Sequence, residues 1–525
     1  MRRAMPAAGL AMAIVSASAC GTGIPSSQRS PEQAGRTSVP GVVAASSQPS
    51  PRGEGRPLGS RTLGVSNKIT VRLLALDRVS AQAVVARWRV RNDLKEDYYF
   101  SASLAVPWNS ANLGQNAIGG VSLLDSGNDR WYFPRGYRNG DCQCTRGWPT
   151  VKAGQEQEMV AVFPAPPPGV TRLDVLFPQA PPFLDVPLGQ APPTPLRVQD
   201  GEDPVDPDSA RVGDPVTLSI VNQVEQAGAA QDDDGRVVSV RLSTDVLFAV
   251  NRADLSRAAH AALREVATQI DRSPGDEVRI DGHTDDTGTD AVNDPLSRRR
   301  ADSVQAALKK LVTRSGVRFR AYGHGSRDPI ADNDRAEGRR TNRRVGITFD
   351  RPPAAPAGQA RATVRRSPAA VPSAAATGTT LPVLGRARAG KAPGVEGAWP
   401  EEAEVRVNEL TRDAGGYVNL VWTLRNDGDT PLNAWTSSHD SGGVYAEAST
   451  SAAALVDGPR RYRPLRDARH HITVGPYLLS VTRPEYLVTK GEEYTLWAMF
   501  KPPADVSTVT VQIPGFEPVE GLAIR

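Results

Sequence analysis

From residue 66 to 190, apolar and polar positions alternate in short runs broken by Pro and Gly. Ile69-Thr-Val71-Arg-Leu73, Ala83 to Val90 around Trp88, Glu158-Met-Val-Ala-Val-Phe163 and Leu173-Asp-Val175-Leu-Phe177 have the two-residue period of strands. No long amphipathic helix interrupts them, so the stretch reads as a β-sandwich of immunoglobulin-like size. The pattern returns over residues 402–525. Trp88-Arg-Val90-Arg-Asn92-Asp93 matches Trp422-Thr-Leu424-Arg-Asn426-Asp427, and Leu124-Asp125 before Tyr132-Phe-Pro134 matches Val456-Asp457 before Tyr462-Arg-Pro464. Gly154-Gln-Glu156 with Phe163 matches Gly491-Glu-Glu493 with Phe500, and Val170-Thr171 with Val175 and Pro178 matches Val506-Ser507 with Val511 and Pro514. Four blocks in one order predict a duplicated domain. Trp88 and Trp422 lie mid-strand, where core packing is the expected role rather than stacking on a sugar.

Between the copies the period changes. Arg236 to Leu242 reads as a strand. Leu255, Ala259, Ala262, Val266 and Ile270 then fall on one helical face, and Val278-Arg-Ile280 is a second strand. Asn293, Asp294 and Pro295 supply the cap and first turn of another helix, whose buried stripe is Ala301, Val304, Leu308 and Leu311. Val317 to Ala321 and Arg344 to Phe349 are two more strands. The order β-α-β-α-β-β over 236–350 predicts an α+β domain with helices on one sheet. The fold class is therefore multidomain, a central α+β domain between two β-sandwich domains, with disordered linkers. The linkers are an acidic Pro-rich stretch at 191–235 and a Pro/Ala/Arg stretch at 351–398. Between Arg351 and Val395 the second holds seven basic residues and no acidic one, so it is expected to remain unpacked.

The amino-terminal segment has Arg2 and Arg3, an apolar run from Ala7 to Val15, and Ala17-Ser-Ala19 before Cys20. This is the layout of an export signal over residues 1–19, with an apolar run too short to span a bilayer as a helix. It resembles a bacterial lipoprotein signal, which implies lipidation at Cys20; Ala17 stands where that family usually has Leu. A secretory signal cut near Ala19 is the other reading. Residues 21–62 read as a solvated tether of Ser, Pro, Gly and Arg, with an r.m.s. span of about 35 Å. Net charge is only +4 over 525 residues, which does not point to nucleic acid. Cys142 and Cys144 remain as a pair suited to an oxidising compartment, either as a disulfide or as two thiols.

The chemistry concentrates in Gly282-His-Thr284-Asp285, followed fifteen residues later by Arg300. One carboxylate at a strand end and one guanidinium on the next helix can grip the two ends of a zwitterion, the guanidinium by a directional fork. From the residues alone, the expected reading is an internal Asp285–Arg300 ion pair that ties helix to strand. A wider pattern surrounds them: Val246-Leu-Phe248, Gly282-His-Thr284-Asp285-x-x-Gly288, Asn293-x-x-Leu296-Ser297-x-x-Arg300-Ala301-x-x-Val304, Gly323-x-Gly325, Pro329-Ile-Ala-x-Asn333 and Gly338-Arg339-x-x-Asn342-Arg343-Arg344-Val345. This segment resembles the OmpA-like peptidoglycan-binding domain. The resemblance implies that Asp285 takes the ammonium, and Arg300 the carboxylate, of the diaminopimelate in the wall's stem peptide. It places Thr284, Asn293 and Arg343 in the same pocket, with Arg344 structural. Ala249 departs from the family, many members of which carry Asp there.

No zinc motif or nucleophile elbow accompanies the six histidines, so no cofactor, metal or catalytic residue is expected. A flagellar stator subunit, which shares this domain, needs a membrane-spanning helix that the sequence lacks. The reading is a non-catalytic cell-envelope lipoprotein joining the membrane surface to peptidoglycan, with the sandwiches as spacers or protein-docking modules. A wall-associated adhesin or docking scaffold, or an accessory factor of a wall-modifying enzyme, are the alternatives. The excess of Arg over Lys suits an actinobacterium, and a Gram-negative outer membrane is the other setting.

Overall fold

The computed structural model describes residues 56–100, 118–136, 142–145, 150–196, 206–207, 216–226, 228–249, 251–353, 381–390, 402–433, 450–469, 472–476 and 487–525. All of them belong to one compact unit, Gly55–Arg525. The signal segment, Cys20, most of the expected tether, and His470-His471 lie outside the described residues. The chain is multidomain and sheet-rich, with few helices. No described helix is long and apolar enough to cross a membrane.

The central elements in chain order are β1 (Thr217–Gln226), β2 (Ala229–Asp233), β3 (Val237–Ser243), α1 (Thr244–Leu247), α2 (Arg257–Arg272), β4 (Glu277–Gly282), α3 (Asp290–Leu311), β5 (Arg318–Gly323), α4 (Ala336–Asn342) and β6 (Arg344–Asp350). The expected strand and helix order is present, with α1 and α4 added. β3, β6, β4 and β5 lie side by side, antiparallel except for the β4–β5 pair. Val240, Ile280 and Ile347 point from the sheet into a core closed by Leu263, Val266 and Ile270 of α2 and by Ala301, Val304 and Leu308 of α3. Ser256 caps α2, its hydroxyl accepting from the Ala259 amide at 3.0 Å.

Two glycines let α3 approach the sheet. A Cβ at Gly282 would run into the carbonyl oxygen of Ser297, and one at Gly323 into the backbone of Arg298. α3 also starts earlier than the Asn293–Pro295 pattern indicates. Thr289 is its N-cap residue and Pro295 lies inside it. The amide that Pro295 lacks would have bonded the Ala291 carbonyl, a loss tolerated this close to the helix start.

Three segments read as linker or tether carry strands. Within 191–235, β1 and β2 form because Leu218, Ile220 and Val224 alternate beneath an acidic composition. Within 351–398, Gly385–Arg388 pairs with Ala403–Arg412, and Leu384, Ala387 and Ala389 pack on the core below. At the end of the tether, Gly59–Leu63 pairs with Ser66–Arg78.

In the first flank, Ile69, Val71, Leu73, Trp88 and Val90 of one sheet share a core with Leu123, Leu173, Val175 and Phe177 of another. In the second, Val405, Val407, Leu420 and Trp422 meet Leu455, Val509 and Val511. Trp88 and Trp422 are both buried, and in each copy the ladder slips one residue beside the Trp. Asn92 donates to the Glu96 and Val151 carbonyls and accepts from the Leu94 amide. Asn426 repeats this with Thr430, Val488 and Gly428. The two flanks therefore share individual hydrogen bonds as well as sequence blocks.

The flanks also touch each other. Leu124, Trp131 and Leu176 of the first pack against Tyr417, Val421 and Trp497 of the second. β1 pairs with Arg130–Tyr132 of the first flank, with Arg460–Tyr462 and Arg466–Asp467 of the second, and with β2, which continues into the central sheet. Cys142 and Cys144, both buried, are paired as a disulfide.

Candidate functional site

The loop after β4 is pinned by its neighbours. The His283 amide donates to the Arg344 carbonyl at 2.9 Å and the Thr284 amide to the Gly325 carbonyl at 2.9 Å. Asp285 follows, 5% exposed. Its Oδ1 accepts from the Thr287 amide at 3.2 Å and from the Thr287 hydroxyl, and its Oδ2 accepts from Arg343 Nη1 at 2.7 Å. Burial alone would raise this carboxyl, but those bonds outweigh it and hold it below the usual carboxylate range. Gly288, at φ +94°, closes the loop in a conformation that suits glycine. Asn293 Nδ2 spans it, donating to the Asp285 carbonyl at 3.4 Å and the Thr287 carbonyl at 3.2 Å. Asn293 thus shapes the loop from within α3 instead of capping that helix.

Arg300 lies two turns beyond Asn293 on α3 and is 6% exposed. Its Nε donates to the Arg252 carbonyl at 3.1 Å, and its guanidinium sits 5.4 Å over the Phe248 ring. Among the described residues no carboxylate forms an ion pair with it, so the internal Asp285–Arg300 pair does not exist here. Asp285 is paired with Arg343 instead. Burial pulls the Arg300 pKa below its ordinary value, and the attraction of Asp245 and Asp285 does not make up the difference.

Arg343 ends α4 and is shared. Besides Asp285 it donates through Nε and Nη2 to the two oxygens of Asp245, at 3.1 and 2.8 Å. That bond is the main cause of a lowered Asp245 pKa. Thr284 Oγ1 is buried with no hydrogen-bond partner. The structure therefore brings together all five residues expected from the sequence, and adds Asp245, Phe248 and Thr287. Asp245 had no sequence signal: it sits on the four-residue helix α1, and its partner lies 98 positions later. Ala249 contributes no charge on this side, where the carboxylate is Asp245.

The surroundings are structural. Arg344 is buried and donates to the carbonyls of Asn342 and Asp328, and burial pushes its pKa down to about 10. Asn342 holds the 330–333 turn with four side-chain bonds. His283 stacks on His324 at 4.7 Å, and burial, with Arg344 and His324 adding to it, lowers its pKa to about 4. No group of three or more metal-ligating side chains occurs among the described residues.

Residues 247–343 match the model of the OmpA family. The chain carries an OmpA-like domain. Over 106 residues the OmpA-like domain is 39% identical to outer membrane porin F of Pseudomonas aeruginosa, covering 20% of this chain and 30% of the relative. It is 36% identical over 106 residues to the outer-membrane lipoprotein YfiB of the same species, covering 20% of this chain and 62% of that one. With adjoining residues it is 34% identical over 144 residues to the peptidoglycan-binding protein ArfA of Mycobacterium bovis, covering 25% of this chain and 43% of the relative. The chain spans about a third of the length of the first curated relatives it matches.

Proposed function

We propose that this chain is a non-catalytic envelope protein that binds peptidoglycan through its OmpA-like domain. The ligand group is the free zwitterionic end of diaminopimelate in the stem peptide. One observation carries this reading: Arg300 is a buried cation facing a shared site and has no carboxylate ion-pair partner among the described residues. An unpaired buried charge is costly, and a fork-shaped one is matched by a carboxylate. The ligand carboxylate would bond Arg300, and its ammonium would join Asp285 beside Arg343. The orphan hydroxyl of Thr284 would gain a partner. Non-catalytic binding also fits relatives named as porins, lipoproteins and a peptidoglycan-binding protein.

In this reading Cys20 carries lipid and the tether spans the gap between membrane surface and wall. The flanking regions are β-sandwich copies that act as spacers or docking modules. The full chain should sediment with purified sacculi and be released by free diaminopimelate; retention that ignores the competitor would contradict the assigned ligand. Metabolic labelling with palmitate should be lost in Cys20→Ala. Labelling that persists would remove Cys20 as the lipidated residue, and a wild type that takes no label would remove the lipid anchor.

A further inference from the structure

Around the site lie Asp245 and Asp285, Arg300 and Arg343, with the more exposed Arg340 3.9 Å from Asp245 Oδ2. Arg300 and Arg343 each interact electrostatically with both carboxylates. The sharing is unequal. Arg343 spends two of its N–H groups on Asp245 and only one on Asp285. We propose that Asp245 is a positioning residue that sets the charge selectivity of the site, a proposal that rests on the zwitterion reading above. By holding one edge of the Arg343 guanidinium, it keeps that cation from committing wholly to Asp285. The Asp285 carboxylate then retains attraction for a ligand ammonium. Asp245 also offsets one positive charge of the arginines around the site, which limits its pull on a ligand carrying only a carboxylate.

Without Asp245 two consequences follow from elementary electrostatics. Arg343 has Asp285 as its remaining carboxylate and competes directly with the ammonium. The site also gains one net positive charge, which favours a ligand bearing only a carboxylate. The affected property is discrimination between ligands as well as affinity. Asp245 is exposed, with a side chain 39% accessible, so its substitution removes no core packing.

The experiment is calorimetric titration of the full chain with two probes, diaminopimelate and its di-N-acetyl derivative, which keeps both carboxylates and has lost both ammonium groups. Both are measured with the wild type, Asp245→Asn and Asp245→Glu, with circular dichroism as the check on folding. The wild type should prefer the probe with both ammonium groups. In Asp245→Asn, affinity for that probe should fall about tenfold, the scale of a charge-assisted hydrogen bond, and the preference should shrink. Asp245→Glu should restore part of both. An Asp245→Asn variant that keeps the wild-type affinity and the wild-type preference would overturn the positioning role alone. A wild type that binds neither probe would overturn the zwitterion reading and this proposal with it.

Discussion

Arg300→Ala should release the chain from sacculi, with a loss of about 2–5 kcal/mol, roughly thirty-fold or more in affinity. The magnitude comes from what would be left behind. A ligand carboxylate drawn into a site built around a buried fork would lose both its charge partner and its paired hydrogen bonds. Asp285→Ala should cost a similar amount for the opposite reason, because it leaves Arg343 facing a ligand ammonium with nothing between them. Arg300→Lys separates charge from shape: it keeps the cation, lacks the fork, and should recover only part of the binding. Sedimentation with sacculi, quantified against free diaminopimelate, reads all three. Wild-type retention in both alanine variants would end the pocket assignment.

Asp174→Asn should stabilise the protein at alkaline pH. Asp174 of the first flank and Asp413 of the second lie against each other at the shared core, and each has one buried oxygen without a donor. The other oxygens are occupied, Asp174 Oδ1 by the Asp185 amide and Asp413 Oδ1 by the Tyr417 amide, each at 2.7 Å. Ser126 also bonds Asp413, while the Asp185 carboxylate repels both members of the pair. Two carboxylates cannot bond each other, but a carboxylate and a carboxylic acid can. Burial, foremost, raises both pKa values, and Asp174, the more deeply enclosed, is the one that keeps the proton. The sign follows: the folded state holds a proton that the unfolded state releases earlier. The stability present below the ordinary carboxylate range is therefore lost as pH rises through the raised folded value. An Asn at 174 keeps its acceptor for the Asp185 amide and donates permanently to Asp413. The gain over wild type at high pH should be on the order of 1–3 kcal/mol and should fade on acidification. Denaturant midpoints of both proteins from pH 5 to 9 test this, and parallel curves would refute it.

What the sequence made legible follows from how local each signal is. β4, the loop with Asp285, and α3 with Arg300 lie within thirty-five residues and carry both periodicity and motif. β4 and the body of α3 stand where the periodicity places them, although α3 begins before the Asn293–Pro295 pattern. The partner of Asp285 was not legible, because Arg300 and Arg343 compete for it from different helices and only packing decides between them. Asp245 was hidden for the same reason. β1 was hidden differently: its alternation is short and set in a run of Asp and Pro, so composition pointed to a linker. The matching blocks of the two flanks were visible because repeated blocks need no knowledge of contacts. Their shared core was not visible, since nothing along the chain says which outward faces meet.

The border drawn at residue 236 by composition runs through a hydrogen-bonded ladder. β3 pairs with β2 over five residue pairs, and β2 in turn with β1. An excised 236–350 piece would bare one long side of β3, a row of amides and carbonyls ready to recruit a second copy. Self-association of that piece would then reflect the cut and not a dimer of the native protein.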